Sequence, residues 1–202
     1  MKVKLGDLAT VRTGLVVARK KHQLDSAEKV TYSQVSLRCF GSGVVLDHEH
    51  ADAFVSSEVL DAKYFTKEDD VLVRLRSPSL ALYIEKKDEG LLINSLLSII
   101  RIEDENVNAK YLAYYINSKT AQRQLKLDEQ NTTIPMIKTK DLEKLDIILP
   151  PLAEQKRLVA LLDLAQKEQE LLQNLINEKK QLSQTILDTI IQQHKEAKCQ
   201  KK

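Results

Sequence analysis

The stretch LPPLAEQKRLVALLD, Leu149 to Asp163, marks where one kind of structure ends and another begins. Pro150 pushes Leu149 away from helical backbone angles, whereas Pro151 suits a first helical position, where the N–H it lacks would bond nothing. Glu154 follows in the first turn, where a carboxylate favours the positive end of the helix dipole by roughly 0.3–1 kcal/mol. No Pro or Gly occurs after Pro151. A helix is therefore expected from about Leu152 to about His194, on the order of 60 Å long at ~1.5 Å per residue.

Along that helix Leu158, Leu161, Ala165, Leu172, Leu175, Leu182 and Ile186 recur by threes and fours, with Glu168 and Lys179 as polar misfits. This is the spacing of a coiled-coil seam. Two other outcomes use the same residues: the helix folds back on the preceding body, or it breaks near Asn177 to Lys180 into an αα-hairpin. The seam favours the first reading, a helix that meets a second chain.

Upstream of the prolines the periodicity changes. DDVLVRLRSPS alternates strictly, with Val71, Val73 and Leu75 on one face and Leu72, Arg74 and Arg76 on the other, which predicts a strand broken at Ser77-Pro78-Ser79. TYSQVSL and VVL around Gly41-Ser42-Gly43 read as strands about a tight bend, and GLLINSLLSIIRI as one or two buried strands. LGDLATV suggests a short helix or turn, and Phe54 to Phe65 a pair of short elements. Tyr111, Leu112, Tyr115 and Ile116 have the spacing of an amphipathic helix through AKYLAYYINSKTAQRQLK. These pieces predict an α+β fold: a globular domain over residues 1–150, a long helix over 151–195 and a basic, disordered tail over 196–202.

With 43% hydrophobic and 30% charged residues among 202, the chain is long and apolar enough to bury a core. The first residues, MKVKLGDLATVRTG, hold no apolar run of signal-peptide length, and LLINSLLSII is too short to span a bilayer. Cys39 and Cys199 sit in unlike contexts, so no disulfide framework is expected and a cytoplasmic location is. From Pro151 onward there are nine Lys/Arg against seven Asp/Glu, which leaves 22 of each before it. The body is neutral, so any DNA binding must come from a local cluster of cations.

Taken together, Asn131 to Asp163 (NTTIPMIKTKDLEKLDIILPPLAEQKRLVALLD) resembles the junction between a target-recognition domain and the helical region in DNA specificity subunits of type I restriction–modification systems. KLGDLATVRTG, Lys4 to Gly14, is similar to the start of such domains, and DDVLVRLRSPS to their central strand and loop. The usual member carries two recognition domains and two helical regions, whereas one of each is present here, so the chain looks like a half-length form. The resemblance implies a non-catalytic specificity subunit that binds a bipartite double-stranded DNA target. It implies pairing with itself as a homodimer and docking of DNA methyltransferase subunits, with a restriction subunit as a further partner, and no membrane. S-adenosylmethionine, ATP and Mg²⁺ would belong to those partner subunits, leaving this chain with no cofactor. The competing expectation is a coiled-coil adaptor or regulator of such a complex that reads no DNA.

Arginine best matches the two acceptors of guanine, and Lys or Thr holds phosphates. Arg74 and Arg76, beside Ser77 and Ser79, are the leading DNA-binding candidates. Arg19, Lys20 and Lys21 would clamp a phosphate, with Arg38 a further candidate. Thr132, Thr133, Lys138, Thr139 and Lys140 flank the junction. Two enzymatic outlines compete with these. Asp70 with Glu85 and Lys87 has the acid…acid-x-Lys pattern of a metal-dependent nuclease, although Glu85 to Lys87 read better as the solvated end of a strand. His48 and His50 flank Glu49 in DHEH; on a strand both imidazoles would share a face, but an exposed acidic turn is the favoured reading, and no metal site is expected. No catalytic residue is assigned.

Overall fold

The computed structural model describes residues 2–20, 29–41, 43–129 and 136–199, in two compact units that meet at Val159 and Ala160. The first unit is mixed α and β. Its strands are β1 (Lys2–Lys4), β2 (Ala9–Thr13), β3 (Val30–Val35), β4 (Asp52–Ser56), β5 (Val71–Arg74), β6 (Ala81–Tyr83), β7 (Leu92–Ile93), β8 (Leu97–Ile102) and β9 (Asp146–Ile148). Its helices are α1 (Ala109–Asn117), α2 (Lys119–Glu129) and α3 (Thr139–Glu143), and α4 (Leu152–Cys199) begins within it. No helix among the described residues is long and apolar enough to cross a membrane.

Three sheets result: an antiparallel four-stranded sheet ordered β2-β8-β5-β6, a three-stranded sheet ordered β4-β3-β7, and the pair β1-β9. The alternation in β5 holds, but its consequence differs from expectation. Val71, Val73 and Leu75 pack into one core with α1, α2 and α3, while Leu72 enters a second core with Leu82, Ile93 and Ile99. As an inner strand of its sheet, β5 is covered on both faces, so Leu72 does not share a solvated face with Arg74 and Arg76. A third small cluster gathers Leu15, Phe54, Leu60 and Leu92, with Tyr32 and Phe65 tilted together at 5.2 Å.

Other local expectations shift in the same way. LGDLATV splits into a 3-10 turn, Leu5–Asp7, and β2. Beyond β3 the chain makes a 3-10 turn at Leu37–Cys39, and the second strand of the expected bend is replaced by isolated bridges, Leu46 to Phe40 and Val45 to Tyr83. The helix expected through AKYLAYYINSKTAQRQLK is two helices. Ser118 adopts extended angles, ends α1, and its hydroxyl then accepts the Ala121 N–H at the start of α2. The Asn108 side chain caps α1 by accepting the Tyr111 N–H at 2.8 Å. At Gly14 an added Cβ would lie 2.2 Å from the Asn94 carbonyl oxygen, so this close crossing of two backbones admits only glycine.

The double proline is followed by helix as expected, but the strongest anchor there is Gln155. Its side chain is fully buried, donates to the carbonyls of Asn106 and Pro150 at 2.8 Å each, and accepts the Asn108 N–H at 2.8 Å. Tyr111 and Tyr115 of α1 hold β9 by donating to the carbonyls of Ile148 and Asp146. From Ala160 onward α4 is one unbroken helix, without the hairpin break near Asn177, and it runs through Cys199, beyond the boundary at 195. Its seam residues Leu161, Leu172, Leu175, Leu182 and Ile186 are 47–63% exposed, and Leu158 is half-buried.

Candidate nucleic-acid interface

One end of the four-stranded sheet collects the residues of interest. There β2 and β5 finish and β8 and β6 begin, because Thr13 pairs Ser98, Arg74 pairs Leu97 and Val73 pairs Ala81. Past β5 the chain stays extended: the Leu75 N–H donates to the Leu96 carbonyl, and the Ile137 N–H donates to the Leu75 carbonyl at 2.8 Å. Arg76 is bridged antiparallel to Met136. This backbone stitch carries Lys138, Thr139 and Lys140 alongside Arg76 across about sixty residues of sequence.

Arg76, Ser77, Lys138 and Lys140 are exposed, and Thr139 is half-buried. Arg74 is half-buried, and its Nε is buried with no hydrogen-bond partner. Ser79 departs from expectation. It is buried, its hydroxyl bonds no other group, and it is not presented to solvent as a phosphate ligand would be.

The loop from Ser77 to Leu80 is clamped by the junction of α1 and α2. Asn117 accepts the Ala81 N–H at 2.7 Å and donates to the Ala81 carbonyl at 2.9 Å, while Gln122 donates to the Ser79 carbonyl at 2.9 Å. These two amides were not singled out from sequence, since nothing local distinguishes them from surface Asn and Gln. The clamp also sets α2 beside the loop. The helix buries Ala121 and Leu125 and exposes Lys119, Arg123 and Lys126, a basic stripe at i, i+4 and i+7. That stripe was legible as periodicity; its closeness to Ser79 was not.

Elsewhere in the body eight described cations meet a carboxylate, while Arg12, Lys29, Lys67 and Lys144 meet none among the described residues. Lys2 and Lys4 pair with Asp146, Lys63 with Asp61, Lys86 with Glu89 and Lys87 with Glu85. Two DNA-binding candidates fall in this class: Lys20 pairs with Glu58, and Arg38 with Asp52 at 2.5 Å. Both pairs flank β4 of the three-stranded sheet and are not part of the cluster at Arg76. By contrast Arg76, Lys119, Arg123, Lys126, Lys138 and Lys140 pair with no described carboxylate. Arg19 closes a 3-10 turn, Val17–Arg19, but its side chain lies outside the described residues, as do Lys21, Thr132 and Thr133.

The two enzymatic outlines dissolve into structural roles. Asp70 is buried and accepts from Arg101 at 2.9 and 3.2 Å and from the Lys67 N–H at 2.9 Å. Burial pushes its carboxyl above the ordinary range, against the opposing pull of Arg101 and the Lys67 amide. Glu85 is spent on Lys87, and Lys86–Asp88 is a 3-10 turn rather than the end of a strand. His48–His50 is likewise a 3-10 turn. Asp47 accepts the Glu49 N–H and contacts His50 at 2.9 Å, while His48 contacts Asp88. Among the described residues no three His, Cys, Asp or Glu side chains gather as a metal site would require.

Comparison with known proteins identifies the family and the fold. The family model described as the type I restriction modification DNA specificity domain matches residues 1–181. Among solved structures, the HsdS subunit from Thermoanaerobacter tengcongensis is 17% identical, with a TM-score of 0.63, covering 87% of this chain and 44% of that one. A chain from work on complex assembly and conformational transition of the type I R-M system is 23% identical, with a TM-score of 0.63, covering 93% of this chain and 44% of that one. The S subunit of M. genitalium is 17% identical, with a TM-score of 0.55, covering 88% and 41%. The chain thus spans less than half the length of each of these structures. No curated protein matches it.

Proposed function

This chain belongs to the family of type I restriction–modification DNA specificity domains, and we propose that its first unit reads double-stranded DNA through the cation cluster at the end of the four-stranded sheet. The observation that carries the reading is the contrast in charge pairing. Eight described cations of the neutral body are matched by a carboxylate, whereas six gathered around Arg76 and along α2, like Arg12, Lys29, Lys67 and Lys144 elsewhere, meet none among the described residues; the six form a group able to meet phosphates. Arg74 and Arg76 emerge where a β-strand ends on a clamped loop, a rigid platform suited to base contact, and Lys138 and Lys140 suit the backbone beside it.

In this reading the subunit performs no chemistry. It selects a target, and bound methyltransferase subunits, with a restriction subunit where one is present, supply S-adenosylmethionine, ATP and Mg²⁺ chemistry. Two copies joined through α4 form a homodimer whose recognition domains read two inverted half-sites separated by unspecified bases. The exposed seam of α4 supports this pairing, and Leu164 and Leu171, off the seam at 67% and 60% exposed, leave further apolar surface for methyltransferase docking.

Co-expression with a candidate methyltransferase, followed by mapping of methylated adenines, tests the reading. The expected result is a two-part, inverted-repeat site that is lost with Arg74→Ala and Arg76→Ala. A site unchanged by both substitutions defeats the base-reading assignment. DNA affinity that ignores salt concentration hands the protein to the adaptor reading.

A further inference from the structure

Arg76 has a neighbour of opposite character. Met136, bridged antiparallel to it, is a large apolar side chain left exposed. Val16, Val59 and Ile148 are also exposed on the first unit, but among the described residues only Met136 is bridged to a cation of the cluster.

The next rung of the ladder fixes where both side chains point. Leu75 precedes Arg76 and Ile137 follows Met136, so these two stand opposite each other, joined by the Ile137 N–H and the Leu75 carbonyl. Both are buried in the core shared with α1, α2 and α3. Successive side chains of an extended chain take opposite faces, so Arg76 and Met136 leave that core and project outward together. Lys138, two residues past Met136 and also exposed, follows them on the same face.

Side chains directly opposite in an antiparallel ladder have Cβ atoms about 4.5–5.5 Å apart. Base pairs of duplex DNA follow one another at about 3.4 Å, so such a pair of side chains reaches adjacent steps of one groove. In the major groove guanine offers two acceptors that a guanidinium matches, and thymine offers a C5 methyl group that rewards apolar contact. A thioether is unbranched and polarisable, so Met136 can fit itself to that methyl with no polar group of its own to satisfy.

Resting on the DNA-reading role above, we propose that Arg76 and Met136 act as one reader of two adjacent base pairs. Arg76 takes guanine, and Met136 takes a neighbouring pyrimidine that carries a C5 methyl group. Thymine meets that requirement and so does 5-methylcytosine, whereas cytosine and uracil do not. The reader thereby senses a base modification that leaves every base-pairing hydrogen bond unchanged.

Duplexes bearing the site mapped by methylation, titrated with the full chain in complex with its co-expressed methyltransferase, test the pairing. Replacing the thymine beside the contacted guanine by deoxyuridine removes only the methyl group and should weaken binding about fourfold, the worth of one buried methyl. Met136→Ala should cost the same on the thymine duplex and nothing further on the deoxyuridine duplex, while Met136→Leu should keep the preference. At that position 5-methylcytosine should bind better than cytosine. Equal affinity of the wild type for thymine and deoxyuridine overturns the methyl contact, as does a mapped half-site with no thymine next to guanine. A Met136→Ala loss of equal size on both duplexes overturns it too, and marks a wedge that unstacks bases instead. Arg76→Ala separates this inference from the reading beneath it. If that variant binds as the wild type does, the cluster is not the reader at all. If it weakens binding roughly fivefold or more while thymine and deoxyuridine stay equal, only the methyl contact falls.

Discussion

Leu72 and Leu172 are the same side chain in opposite settings. Leu72 is fully buried between Leu82 and Ile99 in an inner strand; Leu172 is 53% exposed on an unbroken helix. Both stand in a clean apolar period, one of two residues and the other of three and four. Periodicity announces that a face will be covered without saying what covers it. In the first unit the cover comes from the same chain, on both faces of β5, whereas on α4 the period continues with its leucines still open.

The largest effect that would break this comparison comes from paired truncations. Leu72→Ala should cost about 2–5 kcal/mol of unfolding free energy in chemical denaturation and leave self-association unchanged. Leu172→Ala should do the reverse, weakening the dimer with no loss in stability of the first unit. Should Leu172→Ala leave the sedimentation profile untouched, the seam is not an interface.

A smaller effect is expected at the start of α4. Gln155→Ala strands the Asn108 N–H and two carbonyls in a buried setting, and should lower stability by about 1–3 kcal/mol. Unchanged thermal unfolding would remove Gln155 as the anchor of the helix to its domain.

At the cation cluster, Arg76→Ala should weaken specific binding by about 1–3 kcal/mol if it contacts a base. Lys138→Ala should weaken all sequences alike and lower the salt slope by about one. Arg38→Ala and Lys20→Ala should change binding least, since carboxylates already neutralise them. Larger losses at Arg38 than at Arg76 would move the interface to the three-stranded sheet.

The smallest effect is a pH dependence at the β1-β9 pair. Lys4 and Lys2 hold the Asp146 carboxyl below its ordinary value by direct hydrogen bonds. A depressed carboxylate stabilises the folded state above the ordinary carboxylate pKa and loses that contribution as pH falls through the depressed one. Lys4→Ala should therefore lower the melting temperature slightly at neutral pH, and the gap should close in strong acid. A gap that widens with acid would show another group responsible.

Local grammar accounts for what was readable in advance. The double proline, the unbroken run after it and the strand at DDVLVRLR follow from backbone restriction and side-chain period, properties that neighbouring residues set among themselves. Arg76 stands out in the sequence as an arginine on a strand face beside Ser77, and Lys138 as a cation flanking the domain–helix junction. What could not be read was that a backbone bridge from Arg76 to Met136 makes them neighbours, or that Ser79 turns inward beneath Gln122. Ser118 splits a helix by adopting extended angles that its neighbours alone do not demand.

The sequence by itself determined the strand at DDVLVRLR, the start of α4 and the apolar period along it, since each depends on residues within a few turns of one another. Only the tertiary structure decided which of the described cations meet a carboxylate. Pairing with Asp52, Glu58 or Asp146 depends on distance in space, and an ion pair between residues far apart in the chain leaves no trace in local periodicity. For that reason a neutral body can still carry a basic surface, gathered where the strands of one sheet end.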